Sequence, residues 1–282
     1  MKKTRKIKLA RHAGFCFGVR RAIKIAEETL AFKKSPIFCW GELIHNAHVV
    51  KNLEKKGLRV VENFKNIPRG SFLIIRSHGA APAVFSAARK KGITIINATC
   101  PFVQKAQKIA KDFYQKKYQA VIVGDKKHPE VMGIRANTKN SAIVVSGEAE
   151  ANKLKKFSHI GLLIQTTGET ELLKKVEAIL RQKTKNLKVA NTICLNSFSK
   201  KEEIKILAKD IDILLVIGDR KSNNTKKLTE VGLAYGIKTY QIESAQDIKS
   251  QWLKDKIKIG LTAGASTPDI IIKQVADKIS KL

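Results

Sequence analysis

The stretch ITIINATCPFVQKAQKIAKDFYQKKYQAVIVG, residues 93–124, sets an apolar run, a helical pattern and a second apolar run in succession. A β-branched run at 93–97 gives way to Cys100, and Pro101 opens an amphipathic stretch at 102–117. A second apolar run at 120–124 ends on glycine. Pro101 suits a first helical turn, where its missing N–H is not needed and its fixed φ already matches the helix. Strand, helix, strand in that order is the alternation of an α/β chain.

The same alternation runs along the whole chain. Strand-like runs recur at 37–40, 72–76, 142–146, 160–165, 189–193, 213–218, 239–242 and 257–262, with a shorter run at 7–10. Helical patterns fall at 19–32, 47–56, 169–182, 204–210 and 225–235, and a further helix opens after Pro268. The reading is an α/β protein with mainly parallel sheets. No Pro/Gly/Ser linker divides it, so any domains are expected to pack closely.

Three of the four cysteines stand in equivalent places. Cys100 in INATCPFV and Cys194 in NTICLNS each end a strand-like run before a helical pattern, and Cys16 in RHAGFCFGVRRA stands just before a helix. They are 84 and 94 residues apart, the size of one small α/β unit. Three such units could bring their thiols to one point and share a metal. Zinc would want a fourth protein ligand, such as a histidine; an iron–sulfur cluster on three thiols would keep one iron open to substrate. Spacing alone does not separate the two. Cys39, inside the apolar strand IFCW, reads as a buried small hydrophobe.

Polar residues gather at the same ends of the predicted strands. SHG (77–79), GDKKHPE (124–130), QTT (165–167), GDRKSNNT (218–225) and TAGAST (262–267) all follow apolar runs, and HN (45–46) opens a helical stretch. Ligands of open α/β sheets bind beyond the carboxyl ends of the strands, where helix N-termini favour anions. His45, His78 and His128, with Ser222, Asn224 and Ser266, form a candidate ring of donors for a phosphorylated ligand. Neither GxxxxGK[ST] nor GxGxxG occurs, so a diphosphate without a nucleotide fits better than a P-loop or dinucleotide site. Glu130 could relay a proton, with a hydroxyl of QTT between it and the ligand; taken alone, it reads as an acid at a helix start.

Composition narrows the function classes. The 282 residues carry a net charge of +31, which invites a nucleic-acid reading. Yet the lysines are scattered and only 6% of residues are aromatic, so no stacking platform or nucleic-acid motif emerges. A solvated, lysine-rich surface that attracts polyanions at low salt is the simpler account, and no specific nucleic acid is expected. No stretch is long enough to span a membrane and the start lacks an apolar signal core, so the expected residence is the cytoplasm.

Nine segments, in order, carry a resemblance: GFCFGVRRAI, IHNAHVV, IIRSHGA, NATCPFV, GDKKHPEVMGI, QTT, NTIC, SNNT and TAGASTPD, spanning about residues 10–275. The chain resembles the 4-hydroxy-3-methylbut-2-enyl diphosphate reductase family, which performs the last step of the methylerythritol phosphate route to isoprenoids. The resemblance implies three similar α/β domains with mainly parallel sheets, arranged pseudo-three-fold around a central cavity. These would be residues 18–99, 100–192, and 193–282 completed by 1–17.

The resemblance further implies one [4Fe–4S] cluster per chain, held by Cys16, Cys100 and Cys194, with one iron open. His45, His78, His128, Ser222, Asn223, Asn224 and Ser266 would grip the substrate's diphosphate. Glu130 with Thr166 would deliver a proton to the departing hydroxyl, and Thr167 would line the same cavity. Electrons would come from a reduced ferredoxin or flavodoxin, an acidic one being steered to this basic surface.

The chain departs from the family pattern at four places. Ala13 stands where an arginine is frequent, and LNSFSKKEE follows Cys194 where ATxxRQ is usual. Asn223 replaces a serine, and MGIRAN lacks a second glycine. Two rival readings use the same residues: a zinc-dependent phosphohydrolase, and a polyanion-binding protein on an inactive scaffold.

Overall fold

A computed structural model describes residues 5–32 and 35–282; residues 1–4 of the predicted 1–17 segment, and 33–34 of the predicted 18–99 domain, lie outside the described residues. The chain opens with β1 (Lys6–Leu9) and α1 (Phe17–Phe32). Next come β2 (Ile37–Trp40), α2 (Ala47–Lys55), β3 (Leu58–Val61), β4 (Phe72–Ile75), α3 (Pro82–Lys90) and β5 (Thr94–Asn97). The middle of the chain forms α4 (Pro101–Gln115), β6 (Gln119–Val123), α5 (Pro129–Ala136), β7 (Ile143–Val145), α6 (Glu148–Asn152), β8 (His159–Ile164), α7 (Thr170–Arg181) and β9 (Asn186–Ala190). Last are α8 (Leu195–Leu207), β10 (Ile213–Ile217), α9 (Asn223–Ala234), β11 (Thr239–Ile242), β12 (Lys258–Ala263) and α10 (Asp269–Lys281).

The strands form three four-stranded sheets, ordered β3-β2-β4-β5, β7-β6-β8-β9 and β1-β12-β10-β11. Every pairing is parallel. The chain divides into two compact units. One comprises residues 1–20, 44–52 and 195–282 and holds the sheet containing β1; the other comprises 21–43 and 53–194 and holds the other two sheets.

The two-residue period of a strand explains why the inner strands are apolar throughout. In β10, Ile213, Leu215 and Ile217 face Ile272, Val275 and Ile279 of α10, whereas Leu214 and Val216 face Ile204 of α8 and Leu228 of α9. The β6–β8 pair does the same in the other unit. Val121, Val123, Leu162 and Ile164 pack on Leu173, Val176 and Leu180 of α7; Ala120, Ile122 and Leu163 pack on α4 and α5. Gly161 is required there, because a Cβ would run into the Phe113 ring. Helices on both faces leave the carboxyl ends of the strands as the open, polar edge of each sheet.

Two predicted elements shift. The strand expected at 189–193 lies at 186–190, and α8 begins at Leu195 rather than near residue 204. β9 is an edge strand with a mixed, mostly exposed pattern, so its apolar content was a poor guide to its register. The start of α8 is rich in Asn, Ser and Lys, yet it buries Ser197, Lys200, Lys201 and Ile204. Among the described residues no helix is long and apolar enough to cross a membrane.

Candidate active site

The site is built from strand-to-helix turns. In the larger unit, β5 ends at Asn97, whose side-chain oxygen accepts the N–H of Thr99 at 3.0 Å and its hydroxyl at 2.5 Å. That turn brings Cys100 to the N-cap of α4, with Pro101 as the first helical residue. Arg21 of α1 braces the turn by donating to the carbonyls of Thr99 (3.2 Å) and Asn97 (3.4 Å). The Cys100 N–H bonds to the Ser77 carbonyl at 2.9 Å, joining the first thiol-bearing turn to the SHG turn after β4. Gly79 holds φ +78 there, and a Cβ would meet the Gln107 amide.

The turn after β6 is organised around His128. Asp125 caps it by accepting the Lys127 N–H at 2.9 Å. His128 is the N-cap of α5, its Nδ1 accepting the Glu130 N–H at 3.2 Å. Nδ1 is thereby an acceptor, so in the neutral ring Nε2 carries the hydrogen and can donate to an anion. The His78 ring stands edge-on to His128, with centroids 5.4 Å apart.

Glu130 is 2% exposed. Thr166 clamps it from the turn after β8, its N–H donating to Oε1 at 2.7 Å and its hydroxyl pairing with Oε2 at 2.8 Å. Burial pushes the carboxyl above its ordinary value, and the two Thr166 bonds pull in the opposite direction. A buried carboxyl favours its protonated form. Once protonated on Oε2, Glu130 can donate to Thr166 Oγ1 and free that hydroxyl to donate onward. The Thr166 carbonyl accepts the Cys194 N–H at 2.8 Å, so the same residue that clamps Glu130 also anchors a second thiol-bearing turn. Thr192 fastens that segment further through both backbone groups of Ile164. Thr167 follows Thr166 in the same turn.

In the smaller unit, Cys16 immediately precedes α1, and its N–H bonds to the Ala265 carbonyl at 3.1 Å. The TAGAST turn itself is held by Thr267, which donates its hydroxyl to the Ile217 carbonyl at 2.9 Å. Ser266 donates to the His45 carbonyl at 2.8 Å, bringing the HN turn to this place. Asn46 caps α2 by accepting the Val49 N–H at 3.0 Å. Ser222 is the N-cap of α9, with Asn223 and Asn224 in the first turn.

Two polar atoms of this turn are buried without a hydrogen-bond partner, Asn224 Nδ2 and Thr225 Oγ1. A buried unpaired donor costs free energy unless a ligand meets it. A Cβ at Gly218 would come within 2.6 Å of Thr225 Oγ1 and 2.9 Å of Thr267 Oγ1, so the glycine leaves room for these hydroxyls. The nearby 310 Å³ cavity among Asn46, Gly218, Asp219, Glu243, Asp247 and Thr267 carries three carboxylates and does not suit a diphosphate.

Each predicted site residue thus falls on a turn that follows a strand or in the first turn of the helix after it. Cys100, His78, His128, Glu130, Thr166, Thr167 and Cys194 lie in the larger unit; Cys16, His45, Ser222, Asn223, Asn224 and Ser266 lie in the smaller. No disulfide joins the four thiols. Cys39 is fully buried within β2, and that burial pushes its thiol up to about 12, opposed by Arg76. Such a thiol is a poor metal ligand. Thr225, Gln165 and Asn46 in these turns, and Lys200 in α8, are further polar residues to which the sequence reading gave no role of their own. Asn46 alone carried a signal, an Asn directly before a helical run. Lys200 is 1% exposed, and burial drags its ammonium down to about 8; Cys16, Glu203 and Asp269 counter the shift, and Arg20 adds to it.

Comparison with known proteins bears on this arrangement. The family model of LytB protein matches residues 7–280. A relative in Caldanaerobacter subterraneus subsp. tengcongensis, named 4-hydroxy-3-methylbut-2-enyl diphosphate reductase, is 43% identical over 279 residues, covering 98% of this chain and 97% of its own. A protein of the same name in Aquifex aeolicus is 38% identical over 280 residues, with 97% and 96% covered. A solved structure described as (E)-4-hydroxy-3-methyl-but-2-enyl diphosphate reductase, the terminal enzyme of the non-mevalonate pathway, superposes with a TM-score of 0.74 at 36% identity, covering 99% of this chain and 100% of that one. The Plasmodium falciparum E-1-hydroxy-2-methyl-but-2-enyl-4-diphosphate reductase superposes with a TM-score of 0.92 at 28% identity, covering 97% and 87%.

Proposed function

Since the chain belongs to the LytB family of 4-hydroxy-3-methylbut-2-enyl diphosphate reductases, we propose that Cys16, Cys100 and Cys194 hold one [4Fe–4S] cluster over which that substrate is reduced. The reaction takes the substrate, two electrons and two protons to isopentenyl or dimethylallyl diphosphate and water. We assign residues 18–99, 100–192, and 193–282 with 1–17 to its three domains.

The donor set suits the group. Each of the three thiols directly precedes a helix of 13 residues or more, where the helix dipole favours thiolate. All three are partly exposed, whereas Cys39 is buried. Three protein thiolates on a four-iron cluster leave one iron without a protein ligand. When bound, the cluster supplies the electrons and a Lewis-acid site for the substrate's hydroxyl.

The remaining chemistry belongs to side chains. His45, His78, His128, Ser222, Asn223, Asn224 and Ser266 bind the diphosphate, the unpartnered Asn224 Nδ2 being a donor that an anion would satisfy and the Nε2–H of His128 one that can turn to it. Gripping the diphosphate at a distance from the scissile C–O bond puts binding energy into orientation. Glu130 is the acid. It passes a proton through the Thr166 hydroxyl so that the departing group leaves as water, and Thr167 lines the same space. The second proton goes to one end or the other of the allylic three-carbon system, which gives the two products. The surplus of positive charge, +31, steers an acidic ferredoxin or flavodoxin as electron donor.

The observation that carries this reading is the Glu130–Thr166 clamp, a buried acid whose partner residue is tied to the Cys194 turn. The test is conversion of the substrate by anaerobically prepared protein with a chemical reductant, the products being resolved by chromatography. Both isomeric products are expected. Release of inorganic phosphate without reduction would instead support the zinc hydrolase, and no turnover with a loaded cluster would overturn the assignment.

A further inference from the structure

Lys200 is the one charged residue among the largest fully buried side chains of the described chain. It lies in LNSFSKKEE, where the family pattern has an Arg-Gln pair, and composition alone would put it on a solvated face. Its ammonium instead donates to two backbone carbonyls, Gly14 O at 2.8 Å and Ala263 O at 2.9 Å. Burying an ammonium is unfavourable unless it is well bonded, so its presence calls for a role that an apolar residue could not fill.

The two carbonyls identify that role. Gly14 lies two residues before Cys16, with φ at +87, and a Cβ there would press on Asp269 and Ile272. Ala263 ends β12, three residues before Ser266. Between these two segments runs one further hydrogen bond, from the Cys16 N–H to the Ala265 carbonyl. The ammonium therefore closes a ring: Gly14 to Cys16, across to Ala265, back to Ala263 and through Nζ to Gly14. The helix that supplies Nζ begins directly after Cys194.

We infer that Lys200 is a positioning residue that fixes the Cys16 turn to the Ser266 turn, so that cluster ligation and diphosphate binding in this unit are set by one ammonium. The inference rests on the functional reading above. An apolar residue at 200 would leave two buried carbonyls unpaired and the turns joined at a single point. Both would loosen together. A cation beside a cluster ligand also raises the cluster's reduction potential, because it stabilises the added electron.

The experiment compares Lys200→Met, Lys200→Arg and Ile204→Ala with wild type, all as anaerobically prepared holoprotein. Ile204 is on the same helix and fully buried in the core, and so reports destabilisation without touching either carbonyl. Three quantities are read: the rate of iron loss to a chelator, the Kd of inorganic diphosphate, and the reduction potential. Lys200→Met is expected to lose iron about tenfold faster, as loss of outer support for metal ligands does. It should also bind diphosphate about tenfold more weakly and shift the potential to more negative values. Lys200→Arg, which keeps two parallel donors and the charge, should recover the potential and part of the other two. Ile204→Ala should lower Tm and leave the potential and the diphosphate Kd unchanged.

If Lys200→Met matches Ile204→Ala in all three, Lys200 only packs and the inference is overturned. Where the Met variant does not accumulate, Lys200→Gln, which retains one donor arm, replaces it, with the same three shifts expected and the same null result decisive. Failure of the functional reading looks different: wild type itself would then hold no iron with sulfide.

Discussion

Replacing Glu130 by Gln removes the acidic proton and preserves the shape of the side chain. The Thr166 N–H, now 2.7 Å from Oε1, still requires an oxygen acceptor, so the new amide must turn its NH₂ toward Thr166 Oγ1. The clamp survives, but the relay has no proton to give. Positioned acids contribute 10² to 10⁴ in rate, and Thr166 remains in place to orient water, so a loss near the lower end is expected. That is a fall in kcat of about 10²-fold, or roughly 2.7 kcal/mol of transition-state stabilisation. Iron content and the Kd of diphosphate should stay within about twofold of wild type, since neither depends on the proton.

Single-turnover assays with pre-reduced protein isolate the chemical step from electron delivery. The pH dependence supplies a second signature. Burial raises the Glu130 pKa above its ordinary 4.5, so the wild-type rate should fall as pH climbs through that raised value, and the Gln variant should lack this limb. Stability moves with it. The folded state holds this proton more tightly than the unfolded chain, so the contribution is fully present below the unfolded pKa and is lost as pH rises through the folded one. Glu130→Gln should flatten that slope in melting experiments. A kcat within about threefold of wild type, with the basic limb intact, would refute the assignment of Glu130 as proton source.

Other substitutions separate the remaining roles. Cys39→Ser should leave iron per chain unchanged, as measured by metal analysis. It should also lower stability by about 1–3 kcal/mol in denaturant titration, because a hydroxyl would be buried within β2. Iron loss there would mean that the wrong thiol was set aside. Asn224→Leu removes a buried, unpartnered Nδ2 and should raise the ligand-free Tm slightly. The same change should weaken inorganic diphosphate by about 10-fold or more in calorimetry, through the lost charge-assisted bond. Unchanged affinity would remove Asn224 from the anion site.

Much of this was legible in sequence because the parallel sheets are buried on both faces. Runs such as ILLVI at 213–217 then have a single reading, and β10 falls where expected. The three cysteines were legible because each stands directly before a helix, with Pro101 marking one start. The edges were harder. β3 is a four-residue edge strand with a polar Arg59 inside it, and β9 alternates too weakly to fix its ends.

Lys200 was the least visible of all. In a chain with 55 basic residues, nothing local distinguishes one buried lysine from its solvated neighbours. Its burial follows from two carbonyls brought together from residues 14 and 263. Likewise the Glu130–Thr166 clamp joins positions 36 apart in sequence, and only the parallel pairing of β6 with β8 brings their two turns together.

The most direct test of the account is the iron and acid-labile sulfide content of protein purified without oxygen, for wild type and for Cys16→Ser, Cys100→Ser and Cys194→Ser. The account expects about four of each per wild-type chain and a marked loss in every one of the three variants. Zinc without sulfide in the wild type, or a full cluster retained after any one of these substitutions, would contradict it.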